Sequence, residues 1–120
     1  MKKSLIVLGA ILLLALFAGN CKEAVAVSCT DSVKKLDNQE SSFAVKCPAN
    51  CTSGSVWGTD TYTSDSAICM AAVHAGVITA AEGGEVTVTK AAGESSYNGS
   101  QRNGVSTSNW GSYDSSFTVK

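Results

Sequence analysis

Beyond its first 20 positions, this 120-residue sequence is short of what usually builds a core: one leucine (Leu36), two isoleucines (Ile68 and Ile78) and 39 apolar residues in all, twelve of them alanine. So lightly supplied a domain gains little margin from burial alone and is expected to carry covalent staples. Proline is nearly absent, with Pro48 alone, which excludes a Pro-rich stalk; a coiled coil is excluded by 26 Ser and Thr from Val27 onward. A single histidine, His74, leaves no second imidazole for a multi-His metal site. No basic block is longer than Lys34-Lys35, and residues 21–120 hold seven basic against ten acidic side chains. That balance argues against nucleic acid as a partner and against purely electrostatic docking on anionic lipid. Composition therefore leaves one small, loop-rich domain and excludes a multidomain enzyme.

The one long apolar run is at the start. Met1-Lys2-Lys3 is followed by the 14-residue stretch Leu5 to Ala18, the length of a signal-peptide core. A spanning helix needs roughly 20 apolar residues, and here the run breaks into Gly19-Asn20-Cys21-Lys22-Glu23. Residues 1–20 are thus expected to be a signal peptide, 21–26 a short tether and 27–120 the domain. Ala18-Gly19-Asn20-Cys21 resembles a bacterial lipobox, in which small residues precede a cysteine that is acylated and becomes the new N-terminus. Ala24-Val25-Ala26 is the rival cut, an ordinary secretory site that would discard Cys21, though it would need a long, charged c-region. The expected localisation is the cell envelope, through acyl chains on Cys21, with secreted or periplasmic protein as the alternative. Acyl chains gain about 0.8 kcal/mol per buried methylene, so two or three would anchor the domain firmly.

Five cysteines, Cys21, Cys29, Cys47, Cys51 and Cys69, travel into an oxidising compartment with an exported chain. Setting Cys21 aside leaves four, for which three pairings are open. Cys47-Pro-Ala-Asn-Cys51 has three intervening residues and lacks the C-x-x-C spacing of thioredoxin-like redox sites. Cys29 and Cys69 each stand alone, against the paired spacing of a four-Cys zinc site. Disulfides are the expected fate of all four, with no metal and no cofactor.

Ser66 to Gly76 is the clearest helix. Ile68, Ala71, Ala72 and Ala75 recur at helical spacing, and Cys69 and Val73 widen the apolar face until little is left for water. Ser64, Asp65 or Ser66 is expected to cap its first turn, and Gly76 to end it in the left-handed conformation. Short alternating runs at Phe43–Cys47, Ser55–Trp57, Glu85–Lys90 and Ser116–Val119 read as strands. Gly83-Gly84, Asn98-Gly99 and Asn103-Gly104 read as turns between elements. The expected fold class is α+β, with short strands wrapped around one buried central helix at about 66–76.

Taken in order, Cys47-Pro48-x-x-Cys51, Val56-Trp57-Gly58-x-x-x-Tyr62, Ser66-x-Ile68-Cys69-x-Ala71-Ala72-x-His74-x-Gly76-Val77-Ile78, Gly83-Gly84-x-Val86-x-Val88, Tyr97, Asn103-Gly104-Val105 and Ser116-Phe117-x-Val119 resemble the LCCL domain. The resemblance covers essentially all of residues 27–120. It implies strands around a central helix, and it implies bridges Cys29–Cys47 and Cys51–Cys69. It also implies a secreted binding or adhesion module, with ties to host defence and lipopolysaccharide recognition in some members, and no catalytic residues. Asn109-Trp110-Gly111-Ser112-Tyr113 is slightly longer than the family pattern, and the Cys29–Cys47 segment matches no motif.

His74 is expected to be structural, since it lies inside the helix motif without a second histidine beside it. Trp57, Tyr62 and Tyr97 are expected in or against the core. Trp110 and Tyr113, set among Gly and Ser as in an exposed loop, are the better ligand candidates, and Arg102 could grip a carboxylate or phosphate. The function expected is a non-enzymatic extracytoplasmic binding or adhesion module displayed as a lipoprotein, its ligand a glycan, a lipid or a protein. The alternatives are a small secreted hydrolase using His74 and a purely structural surface antigen.

Overall fold

The computed structural model describes residues 23–36 and 38–120; the signal segment 1–20 and the acylation candidate Cys21 lie outside the described residues. Among the described residues eight short strands and one helix follow in order: β1 (Val25–Ala26), β2 (Ser42–Cys47), β3 (Gly58–Thr59), β4 (Thr61–Thr63), α1 (Ile68–His74), β5 (Gly84–Ala92), β6 (Gln101–Arg102), β7 (Val105–Ser106) and β8 (Ser115–Val119). A single 3-10 turn, Lys34–Leu36, lies between β1 and β2. Six strands form one sheet in the order β1-β2-β5-β8-β4-β3, and β6-β7 form a separate two-stranded ribbon. β1 runs parallel to β2, pairing Val25 with Val45, and the other pairs are antiparallel. β1 falls within the stretch expected to be tether.

Alternation along the strands decides what the sheet buries. Val45 and Cys47 of β2 face inward, Val45 opposite Val86 of β5 and Cys47 opposite Gly84, while Val88 stands opposite Phe43; Phe117 of β8 lies between β5 and β4, opposite Lys90 and Tyr62. Val45, Val86, Val88, Tyr62 and Phe117 are completely buried. Every residue of α1 is buried as well, so the helix is the centre of the domain and has no wet face. Its alanines, Ala71 and Ala72, give neighbouring chain close access where leucines would hold it off.

The helix is shorter than the expected 66–76, and its start is made differently. Ala67 occupies the N-cap with no side-chain hydrogen bond. The Ser66 hydroxyl is spent elsewhere, accepting the Trp57 N–H at 3.0 Å and pairing with Thr63 Oγ1 at 2.8 Å. Backbone carbonyls from other segments take over: Ala67 N–H donates to the Ser55 carbonyl and Ile68 N–H to the Asp31 carbonyl, both at 2.9 Å. The C-terminus is a Schellman end, in which Val77 N–H reaches the Ala72 carbonyl and Gly76 N–H reaches Val73. Gly76 takes φ of +81°, as its position in the sequence required.

Two disulfides are present, but the pairing implied by the family resemblance is not the one formed. The bridges are Cys29–Cys51 and Cys47–Cys69, with Cα separations of 5.3 and 5.7 Å. Cys47 follows Val45 in phase on the inward face of β2, which delivers it to the buried Cys69 on α1. Cys51 lies beyond the Pro48 corner and meets Cys29, in the segment that the Asp31 carbonyl and the Ser32–Ala67 bridge hold at the helix start. The bridges are therefore interleaved, each spanning 22 positions, rather than consecutive.

Three of the expected strands form with slightly wider limits; Ser55–Trp57 does not. Gly58 turns at φ +109° where an added Cβ would lie 2.3 Å from the Thr61 carbonyl, so the chain folds at once into the β3-β4 hairpin. Trp57 is left with one parallel bridge to Ser108. Asn103 and Gly104, both at positive φ, form the two-residue turn between β6 and β7. Asn98-Gly99 is not a turn: Gly99 instead passes the 107–108 backbone where a Cβ would sit 2.4 Å from the Thr107 carbonyl.

Candidate functional site: the loop layer around His74, Ser100 and Trp110

Residues 93–113 are fastened to β3, α1 and β8 at defined points. Tyr97 is buried, and its hydroxyl pairs with Ser116 Oγ of β8 at 2.6 Å while accepting the Glu94 N–H at 3.0 Å. Tyr97 and Trp110 exchange both backbone hydrogen bonds. Ser108 N–H donates to the Val56 carbonyl, and Gly58 N–H to the Ser108 carbonyl, which ties 107–110 to the Trp57 segment.

At the centre of this layer a hydrogen-bond chain runs from the core to the surface, and its direction is fixed by its outer end. The Thr59 hydroxyl donates its one proton to the Asn98 carbonyl at 2.8 Å, because a carbonyl can only accept. Ser100, 2.6 Å from Thr59 Oγ1, must then donate to Thr59. With that proton used, Ser100 Oγ accepts from His74 Nε2–H at 3.1 Å. The neutral imidazole therefore accepts at Nδ1, where the Tyr62 hydroxyl donates at 2.9 Å. Burial pushes the His74 pKa below its ordinary value, and the Arg102 charge pushes the same way, opposed by backbone hydrogen bonding at Ser100 and by Asp60. Burial likewise raises the Tyr62 pKa, so both rings are neutral at neutral pH. His74 has no exposed surface; its ring packs edge-on to Tyr62, with centroids 5.7 Å apart, and Tyr62 lies at the same distance from Phe117.

This polarity bears on the hydrolase alternative. A serine nucleophile needs an imidazole lone pair aimed at its hydroxyl and a group on the far nitrogen that accepts. Here Nε2 carries its hydrogen toward Ser100, Ser100 sends its own proton to Thr59, and Tyr62 donates to the far nitrogen. The His74–Ser100 pair is wired the wrong way round for general-base catalysis. Among the described residues no three His, Cys, Asp or Glu side chains lie close enough to hold a metal ion.

The candidate contact residues take separate places in the layer. Trp110 is 49% exposed, the only large apolar side chain so exposed among the described residues. It meets Trp57 edge-to-face at 6.0 Å between centroids. Tyr113 is half-buried and engaged by Lys34, whose Nζ donates to its hydroxyl at 2.8 Å and lies 4.6 Å from the ring centre. Arg102 is paired with Asp60 at 2.8 Å, on the exposed face of the β6-β7 ribbon. Each of the three thus has its own partner within the fold. Beside the hydrogen-bond chain an open groove of about 400 Å³ is lined by Thr59, Thr61, Glu94, Ser96, Asn98 and Ser100, together with Tyr97 and Gly99. Apart from Tyr97 in the family pattern and the Asn98-Gly99 pair, no motif reveals these residues in the sequence. Gly99, by its close approach to the 107–108 backbone, shapes one wall.

The LCCL domain family model matches residues 20–117, and that range takes in the helix, both disulfides and the whole loop layer. The chain belongs to the LCCL domain family. This LCCL domain is 42% identical to human vitrin over 95 residues, covering 78% of the chain and 14% of vitrin. It is 35% identical to human cochlin over 114 residues, covering 93% of the chain and 20% of cochlin. A third relative, human cysteine-rich secretory protein LCCL domain-containing 2, is 42% identical over 72 residues, 56% of the chain and 14% of that protein. The chain thus spans only about a seventh to a fifth of the length of these relatives. Its two disulfides are those of an exported protein.

Proposed function

We propose that this LCCL domain is a non-enzymatic extracytoplasmic binding module, displayed on the cell envelope as a lipoprotein through acyl chains on Cys21, which presents its loop layer to a ligand. The observation that carries the binding reading is Trp110: a tryptophan half in water, propped edge-on by Trp57, in a domain otherwise economical with large apolar side chains. The reversed polarity of the His74–Ser100 pair favours binding over hydrolysis. β1 favours the cut before Cys21, because cleavage after Ala26 would remove both residues of that strand and its pairing with β2.

The exported protein, purified as the cell processes it, tests both halves. Its intact mass is expected to begin at Cys21 with added acyl mass, and four cysteines are expected to alkylate only after reduction. A chain starting at Val27 without lipid would overturn the anchoring. Retention on a panel of immobilised glycans, lipid vesicles and extracellular-matrix proteins is expected for one class; retention on none would overturn the binding reading.

A further inference from the structure

The groove beside Ser100 differs from an ordinary surface depression in having its hydrogen-bond polarity set from inside the protein. Ser100 and Thr59 both spend their hydroxyl protons within the chain that starts at Tyr62 and ends at the Asn98 carbonyl. What each hydroxyl offers the groove is a remaining oxygen lone pair. The Glu94 carboxylate on the same lining adds acceptors only. Thr61, Ser96 and the Asn98 side-chain amide supply adaptable groups around them. An acceptor-rich wall of this kind suits a ligand that arrives with several hydroxyl protons, and the carboxylate disfavours phosphate, sulfate or carboxylate on that ligand. The volume falls within the roughly 300–1,000 Å³ range of small-ligand clefts.

We propose that the groove lined by Thr59, Thr61, Glu94, Ser96, Asn98 and Ser100 is a subsite for one neutral pyranose unit of a glycan, recognised through its hydroxyl protons. This rests on reading the domain as a binding module and names the ligand class of that module. Lone pairs held in place by a buried histidine do not have to reorganise when the ligand arrives, which lowers the ordering cost of a weak, polar contact. Glu94 gives the site its discrimination, selecting an uncharged sugar over a uronic acid or a sugar phosphate of the same ring shape.

The test is amide chemical-shift mapping on the 15N-labelled exported protein in detergent, with methyl glucopyranoside as neutral probe and glucuronate as its acidic counterpart. The neutral sugar is expected to shift the amides of Thr59, Thr61 and residues 96–100 with an affinity of about 1–10 mM, and glucuronate to bind at least about tenfold more weakly. Thr61→Val with Ser96→Ala, both outside the His74 chain, is expected to weaken the neutral sugar about tenfold, and Glu94→Gln to bring glucuronate level with it. No shifts at these amides up to about 50 mM sugar would overturn the proposal. So would equal binding of glucuronate to the unaltered protein, a discrimination that Glu94→Gln leaves unchanged, or the same shifts from calcium chloride alone. Retention on the panel without groove shifts would overturn the subsite and leave the module reading intact, whereas absence of both would overturn the two together.

Discussion

Lowering the pH from 7.5 to 5 should destabilise this domain through one residue. His74 is completely buried, accepts from Tyr62 at Nδ1 and donates to Ser100 at Nε2. A second proton would turn Nδ1 into a donor facing a donor, inside a site that already disfavours charge. The folded pKa therefore lies below the ordinary 6.5, while in the unfolded chain His74 titrates near that value. In the window between the two, the unfolded state binds the extra proton and the folded state does not. Stability is thus fully present above about pH 6.5 and falls with pH toward the lowered folded value, by at most about 1.4 kcal/mol per pH unit for a single proton. Because His74 is the only histidine, its loss should remove this slope. In His74→Gln the slope between pH 6.5 and the lowered folded value disappears, and stability at neutral pH falls by about 1–3 kcal/mol as the Tyr62 hydroxyl loses its buried acceptor. Urea titrations at closely spaced pH values, on the unaltered protein and the variant, measure both effects. A stability that is flat from pH 7.5 to 5, or a slope that survives in His74→Gln, would refute the directional chain.

Other parts of the fold carry their own expectations. Removing either disulfide by a paired Cys→Ser change should cost about 3 kcal/mol, given loops of 22 positions, and partial reduction with cyanylation should recover Cys29–Cys51 and Cys47–Cys69; finding Cys29–Cys47 would contradict the interleaved arrangement. Phe117→Ala should lower stability by about 3–5 kcal/mol in denaturant titration, whereas Trp110→Ala should cost less than about 1 kcal/mol, because only Phe117 is fully enclosed. Gly83→Ala should cost at least about 2 kcal/mol in the same assay, since φ is +67° there and the new methyl would lie 2.4 Å from the Pro48 carbonyl.

The central helix and its strands were legible in the sequence because they obey local periodicities: Ile68, Ala71, Ala72 and Ala75 for the helix, Val86 and Val88 for β5, and Gly76 for the helix end. What the sequence does not show depends on distant chain. Ser66 looks like a cap until Trp57 and Thr63 claim its hydroxyl, and the carbonyls that replace it belong to Ser55 and Asp31. The disulfide partners could not be read from spacing, since the choice rests on Cys47 facing inward and on the 28–32 segment lying against the helix start. Trp110 stood out among its Gly and Ser neighbours and is indeed exposed. The groove was invisible, because Thr59 and Ser100 are unremarkable in a chain rich in Ser and Thr until folding joins them through His74.

One comparison bears most directly on the binding role: the dissociation constants of the unaltered domain and of Trp110→Ala for whichever surface on the panel retains the protein, with the two proteins matched in thermal stability. Binding through the loop layer predicts that the variant is at least about tenfold weaker, a loss of about 1.4 kcal/mol. Affinities that agree within about twofold, with the fold intact, would contradict it.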